Sequence, residues 1–175
     1  MTSTNDADRL FRSYHAGLVR YLTRRLGDRD WAEDVAQETF VRALRQESLT
    51  SERSWLYAVA TNLVRDQLRT DERRRRRLEL LASEEREREL EAPETTALER
   101  AQDAAMARRA LDQLAERDRS ALLMREEGLD YQEIAQALEL SPGSVGTTLA
   151  RARRRLAEAY ESLHAREEGR DHAAS

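Results

Sequence analysis

The spacing of apolar residues in the first half of the chain predicts three amphipathic helices, because apolar side chains recur there every three or four positions. The first helix is expected over about residues 6–26, and Gly27 ends it. The second is expected to begin at Asp30, and the third covers about residues 54–70. Three such helices can bury one core, so we predict a first domain over residues 1–77.

The second half of the chain ends in a pattern typical of a helix-turn-helix. Asp130 and Glu133 have the spacing of a capping box, which begins a short helix. The turn follows at residues 139–140, and Ser141 is expected to cap a second helix. The pattern alone also fits a helical hairpin with a solvated outer face. The buried side of the second helix is predicted from residues that recur at helical spacing: Val145, Leu149, Ala152 and Leu156.

Composition favours an all-helical protein. Charged residues make up 37% of the 175 residues and aromatic residues only 5%, so any core is thin. No window alternates apolar and polar residues as a half-buried strand does. We therefore predict an all-α fold of two small helical domains, residues 1–77 and 99–163, joined by a linker over 78–98. The second domain ends in the helix-turn-helix, and residues 164–175 are expected to form a flexible tail.

The sequence also excludes several classes of function. The chain has no cysteine, which excludes disulfides and thiolate metal sites. No apolar stretch approaches the roughly 20 residues that span a membrane. The first residues do not form a signal peptide, so we expect a cytoplasmic protein. The three histidines are scattered, and no nucleophile motif or phosphate-binding loop is present. We expect no catalysis, metal, cofactor or small-molecule substrate.

The net charge of −4 is distributed unevenly. Residues 1–77 carry 16 Arg against 12 acidic residues, 78–105 carry 3 against 9, and 106–175 carry 11 against 13. The basic residues cluster in two runs, 73–77 and 151–155, the second interrupted by an alanine. Two basic runs on either side of an acidic segment indicate two contact regions joined by a linker.

The third predicted helix has a face suited to single-stranded nucleic acid. On a helical wheel Trp55, Asn62, Arg65 and Arg69 lie on one side, opposite the apolar residues. Proteins hold unpaired bases with an aromatic ring that stacks and with amide and guanidinium donors beside it. The alternative is that Trp55 packs over the edge of the core or on the preceding loop.

The second predicted helix has a different polar surface. Asp34, Gln37 and Glu38 lie beside the edges of Phe40 and Val41. Acidic and amide groups next to apolar atoms suit a basic or helical protein partner better than a nucleic acid. The alternative is an ordinary solvated face.

Together these features resemble a bacterial RNA polymerase sigma factor of the extracytoplasmic-function group, over about residues 8–75 and 100–160. Three segments carry the resemblance: AEDVAQETFVRAL at 32–44, SWLYAVATNLVRDQLR at 54–69, and the helix-turn-helix. They are similar, in order, to the helix that binds the polymerase clamp, the helix that opens and reads the minus-ten promoter element, and the reader of the minus-thirty-five element.

The resemblance implies a role for each face. Binding to the clamp helices of core RNA polymerase would fall to Asp34, Gln37, Glu38, Phe40 and Val41. Contact with minus-ten DNA would fall to Trp55, Asn62, Arg65, Arg69, Arg73 and Arg74. Contact with minus-thirty-five DNA would fall to Ser141, Ser144, Thr147, Thr148, Arg151, Arg154 and Arg155. The second domain would also meet the polymerase flap, and an anti-sigma protein is a further possible partner.

The recognition helix departs from the family pattern. After the serine cap the family usually has Thr-Val-Lys-Ser-Arg-Leu, whereas residues 144–149 here read SVGTTL, so two basic side chains are absent. We expect upstream binding to depend on the arginines of 151–155, or to tolerate a different or weaker element. Two other classes stay open: a one-component regulator that binds operators without polymerase, and a helical adaptor with no role at DNA.

Overall fold

The computed structural model describes residues 4–46, 48–79 and 95–173, with side chains described over 6–46, 48–71 and 100–167. Over these ranges all the regular structure is helical, which confirms the all-α class. None of the described helices combines the length and apolar character needed to cross a membrane. Most of the predicted linker lies outside the described residues. The described helices are α1 Thr4–Leu26, α2 Arg29–Leu44, α3 Glu52–Glu79, α4 Thr95–Asp112, α5 Glu116–Glu126, α6 Tyr131–Leu138 and α7 Pro142–Ala173.

The first domain forms from α1, α2 and α3, as the apolar spacing predicted. Gly27 has a φ of 69° and ends α1, a backbone conformation that glycine adopts without strain. Helix α2 begins before the predicted Asp30, because Asp28 is the N-cap and its carboxylate accepts from the amide of Trp31 at 3.0 Å. The hydroxyls of Tyr21 and Thr61 lie 2.7 Å apart and join α1 to α3 inside the core.

The helix-turn-helix forms where the sequence predicted it. Asp130 and Glu133 make both hydrogen bonds of the capping box, each 2.8 Å long. Glu139 ends α6 with a φ of 53°, a left-handed conformation that turns the chain into α7. Pro142 is the first residue of α7, where a missing amide hydrogen costs nothing. The predicted core positions Val145, Leu149 and Ala152 are all fully buried.

Helix α7 is longer than the sequence indicated. It continues as helix through Ala173, across most of the range predicted to be a flexible tail. Helix α4 packs along this part of α7, where Arg109 donates to the Glu167 carboxylate at 2.6 Å and where Met106 and Ala110 form a separate apolar cluster with Ala159 and Leu163. This cluster extends the second domain beyond the helix-turn-helix and supports a helix whose end has little apolar surface of its own.

The two domains pack directly against each other. Helix α3 contacts α6, and α1 contacts α5. A single cluster of buried apolar side chains includes residues of α1, α2 and α3 together with residues of α5, α6 and α7. The hydrophobic core is therefore continuous across the domain boundary, which the periodicity of the individual helices does not reveal.

Candidate functional site

The polar face of α2 is open to solvent. Asp34 and Gln37 are exposed, and the Glu38 carboxylate accepts from Nε of Arg42 at 2.7 Å. Val41 stands beside them with 41% of its surface exposed. An apolar side chain next to carboxylates and an amide is a surface suited to a protein partner.

Phe40 does not belong to this open surface, because it is only 7% exposed. Its ring lies 5.2 Å from the ring of Phe11 on α1, and the Phe11 ring stacks on His15 at 4.2 Å. Phe40 is therefore largely covered in the free chain, and Phe11, at 45% exposed, is the accessible aromatic ring here, so the predicted partner contact of Phe40 stays a prediction. The sequence does indicate that the Phe11 ring is exposed, because Phe11 lies beside the row of apolar residues that α1 buries and does not belong to that row.

The face of α3 presents the predicted amide and guanidinium groups. Asn62, Arg65 and Arg69 are exposed, and Arg65 donates to Oδ1 of Asn62 at 2.6 Å. This bond holds the side-chain amide in one orientation. Helix α3 continues to Glu79, so the basic run 73–77 extends the same helix. The side chains of Arg73 and Arg74 lie outside the described residues.

Trp55 packs at the edge of the core and beside the preceding loop, which is the alternative to a fully open position on the nucleic-acid face. Its ring is half-buried and packs against the core, and it lines a cleft with Leu49 and Thr50 of the preceding loop. Gln136 of α6 borders the same cleft. Trp55 therefore stands at the edge of the Asn62 face rather than at its centre.

The Asn62 face looks into a cleft between the two domains. Asn62 and Arg65 line one wall, and Glu116, Gln136 and Glu139 line the other. The amide and guanidinium donors of the first domain thus stand opposite a wall of mixed charge, which carries two carboxylates and also Arg117.

The outer face of α7 holds most of the residues predicted to meet duplex DNA. Ser141 and Thr147 are exposed, and the half-exposed Ser144 donates its hydroxyl to the Ser141 carbonyl at 2.8 Å. Thr148, however, is only 4% exposed, so this position does not belong to the open face, and its DNA contact stays a prediction. It follows Val145 by three positions and therefore lies on the core side of the helix.

The arginines of α7 between residues 151 and 155 fall into two groups. Arg151 donates to the carboxylate of Asp118 on α5, with its Nε at 2.9 Å, and Arg155 donates to the same carboxylate at 3.3 Å. Hydrogen bonds from Arg151 hold the pKa of Asp118 below its usual range, against the effect of burial. Arg153 and Arg154 instead project into solvent, and the one ion pair of Arg154 among the described side chains is a long one, 3.8 Å, with Glu158.

Both domains match known family models. Residues 10–75 match the model described as Sigma-70 region 2, and residues 104–156 match Sigma-70, region 4. The RNA polymerase sigma-H factor of Pseudomonas aeruginosa is 31% identical over 170 residues, which cover 89% of this chain and 86% of that protein. The RNA polymerase sigma factor YlaC of Bacillus subtilis is 32% identical over 158 residues, covering 87% and 91%.

A solved structure has the same fold. The sigma factor RpoE from Bartonella quintana, crystallised with the anti-sigma factor NepR, superposes with a TM-score of 0.64 at 20% identity. The match covers 90% of this chain and 98% of that one. With both family regions in order and relatives above 30% identity over most of their length, the chain belongs to the RNA polymerase sigma factors, in their extracytoplasmic-function group.

Proposed function

We propose that this chain binds core RNA polymerase in the cytoplasm as an alternative sigma factor, directs it to specific promoters, and performs no catalysis itself. The observation that carries the proposal is the presence, in one chain, of both sigma regions with an accessible polar face on each. A one-component regulator has no need of the exposed α2 surface, and an adaptor has no need of the α3 and α7 faces.

Polymerase binding falls to the exposed side of α2. Asp34, Gln37 and Glu38 supply polar contacts to the clamp helices, and Val41 supplies apolar contact. Phe11 adds an accessible ring from α1, above the buried Phe40. Carboxylates beside exposed apolar side chains favour a basic helical partner, because charge complementarity steers the encounter and apolar contact adds affinity.

Minus-ten recognition falls to α3. Asn62, oriented by Arg65, contacts an extruded base of the non-template strand, and Trp55 borders that base from the edge of the core. Arg69 and the basic run containing Arg73 and Arg74 neutralise backbone phosphates as the strand separates.

Minus-thirty-five recognition falls to the start and outer face of α7. Ser141, Ser144 and Thr147 lie at its exposed beginning, which is the part of a recognition helix that reaches base edges. Arg154 contacts phosphate directly. Arg151 and Arg155 act differently, because Asp118 holds both guanidinium groups and fixes α7 on α5.

Two further partners follow from the same family membership. The second domain meets the polymerase flap. An anti-sigma protein restrains the chain by covering its polymerase-binding surfaces, as the co-crystallised Bartonella protein is itself held in a complex with an anti-sigma factor.

Two substitutions separate polymerase binding from promoter opening. Glu38→Arg is expected to weaken co-purification with core polymerase at least tenfold, whereas Glu126→Arg, the same charge change at an exposed site of α5, leaves it unchanged.

Asn62→Ala is expected to preserve polymerase binding but to remove permanganate reactivity of minus-ten thymines, whereas Asp71→Ala on the same helix keeps that reactivity. Sequence-specific binding and regulation without polymerase would instead establish the one-component regulator.

A further inference from the structure

The recognition helix α7 is held on α5 by one buried carboxylate, that of Asp118, which accepts hydrogen bonds from Arg151 and Arg155. We propose that Asp118 is a positioning residue for base recognition: it orients the guanidinium group of Arg151 so that the free edge of that group pairs with a guanine of the minus-thirty-five element. The proposal rests on the proposed function, because only a chain that reads promoter DNA presents this edge to a base.

The contact between Arg151 and Asp118 uses one side of the guanidinium group. Nε of Arg151 donates to one carboxylate oxygen at 2.9 Å, and Nη2 donates to the other oxygen. A guanidinium group has five N–H donors in a fixed plane, so Nη1 and the second hydrogen of Nη2 point away from Asp118. These remaining donors form the end of the fork, and two parallel donors of this kind pair with O6 and N7 of a guanine.

Arg151 lies at a position on α7 from which this edge reaches DNA. It follows Thr147 by four residues, so the two side chains are neighbours on the helix surface. Helical side chains lean toward the N-terminus of their helix, and Arg151 therefore covers the turn that carries Thr147. Thr147 is exposed, and the Arg151 side chain is 38% exposed. Its free donors are thus accessible to a base edge in the groove that a recognition helix enters.

The start of α7 offers no comparable group of its own. Residues 144–149 read SVGTTL, in which the only polar side-chain groups are hydroxyls. A hydroxyl has one donor, whereas the commonest guanine contact uses two. Arg154 forms only a pair of 3.8 Å with an exposed partner among the described side chains, so it is free to rotate, which suits a phosphate better than a base. Arg151 is the described arginine of α7 whose plane is fixed by two bonds to one carboxylate.

Asp118 keeps Arg151 in place when phosphates compete for it. The Asp118 side chain is 1% exposed. Hydrogen bonds from Arg151 hold the pKa of Asp118 below its usual range, although burial alone pushes that pKa up. A charged carboxylate at this depth needs its partner, so releasing Arg151 is costly. A side chain that is oriented in advance also loses less conformational freedom when it binds a base.

The other arginines near Asp118 do not replace Arg151. Arg155 donates through Nη1 alone, at 3.3 Å. Arg119 on α5 donates instead to two other carboxylates. Arg117 is exposed and contributes only attraction at longer range. Arg155 and Arg117 therefore help to keep Asp118 charged, while the oriented fork belongs to Arg151.

A purely structural role of Asp118 predicts a different result from a positioning role. If Asp118 only holds α7 on α5, its loss weakens binding to every promoter duplex by the same factor. If it orients Arg151, its loss weakens binding specifically where a guanine offers both O6 and N7. The quantity that separates the two roles is therefore the penalty for removing N7 from one guanine, compared between chains.

The experiment measures binding of the holoenzyme, core polymerase with the full chain, to a promoter duplex found by mapping transcript starts. Each guanine of the minus-thirty-five element is replaced in turn by 7-deazaguanine, which keeps O6 but lacks N7. With the wild-type chain, one such replacement is expected to weaken binding about fivefold. With Asp118→Asn, which has nearly the same shape but no charge, that penalty is expected to fall to about twofold or less, since Arg151 no longer stays in one orientation.

Two variants control for charge and for the shape of the fork. Glu158→Gln makes the same charge change at a 66% exposed position of α7, beside Arg154, and should keep the wild-type penalty. Arg151→Lys keeps the positive charge and the attraction to Asp118 but has no planar fork, so it should lose the penalty. Circular dichroism compares the helix content of all chains. If Asp118→Asn does not fold, Asp118→Glu keeps the charge but displaces the carboxylate by one methylene group, and it is expected to reduce the penalty in the same direction.

Equal penalties for wild type and the Asp118 variant overturn the positioning role, as does a wild-type chain for which no guanine of the element is sensitive to the loss of N7. Promoter-specific transcription with core polymerase is measured in parallel. A chain that initiates at its promoter without this guanine contact refutes only the role of Asp118. A chain that never directs initiation refutes the proposed function, and this contact with it.

Discussion

Asp118 is the residue whose removal tests the role of the α5–α7 contact. Its side chain is 1% exposed, and it accepts hydrogen bonds from Arg151 and Arg155. Charge-assisted hydrogen bonds contribute about 1.5–3 kcal/mol each. The two arginine side chains are 38% and 49% exposed, so water solvates them once the carboxylate is gone, and this reduces the loss. We expect Asp118→Ala to lower the free energy of unfolding by about 2–3 kcal/mol.

The assay is urea denaturation at pH 7 followed by far-ultraviolet circular dichroism. Both tryptophans, Trp31 and Trp55, lie in the first domain, so fluorescence reports the second domain poorly. The matched control is Glu158→Ala, whose pair with Arg154 spans 3.8 Å between side chains that are 66% and 70% exposed. That loss is expected to stay below about 0.5 kcal/mol. Equal losses for the two variants refute the reasoning.

Four further predictions follow from other contacts. Gly146→Ala is expected to raise stability by up to about 1 kcal/mol in thermal unfolding, because the added methyl group meets only the Tyr131 ring at 3.6 Å; a loss contradicts this. Asp130→Ala removes the N-cap of α6 and is expected to lower the free energy of unfolding, measured by urea denaturation, by about 1 kcal/mol. An unchanged free energy of unfolding contradicts the stabilising role of the capping box. The pKa values of Glu116 and Asp118 are lowered in the folded chain. The stabilisation that each carboxylate contributes to the fold is therefore fully present above its ordinary pKa, 4.5 for Glu116 and 3.8 for Asp118, and is lost as pH falls through the lowered pKa. In an acid titration followed by circular dichroism, wild type should therefore lose stability as pH falls below these values, and Asp118→Asn, which has no carboxyl group to protonate at that position, should lose less stability over the same pH range; an equal loss in the variant contradicts this. In holoenzyme binding to promoter duplex, Arg154→Ala should reduce the salt slope by about one unit, whereas an unchanged slope removes Arg154 from the phosphate contacts.

The helices and their caps were predictable because their signals are local. The capping box of α6 and the glycine after α1 act within four residues, and both are present in the structure. The burial of Thr148 was also accessible from sequence, since Thr148 lies three positions after Val145 on the same apolar stripe. Phe40 also lies four positions after Ala36 and three before Ala43, both buried, so its burial in the core of α2 follows from the same helical spacing.

The interdomain contact was not predictable in the same way. Arg25 and Glu116 are 91 residues apart, and Arg20 and Glu127 are 107 apart. Neither pair has a spacing that helical periodicity can reveal, and in a chain with 37% charged residues an individual arginine carries little information. Asp118 illustrates the same limit, because only the fold shows that one buried carboxylate holds two of the arginines predicted to bind phosphate.

The most direct test of the central claim is run-off transcription from promoters found by mapping the transcript starts that appear when the chain is overproduced. Core polymerase with the wild-type chain should produce one transcript of defined start, and core polymerase alone should produce none. Asn62→Ala should reduce that transcript at least tenfold without loss of polymerase binding. A transcript of equal yield and start without the chain contradicts the account.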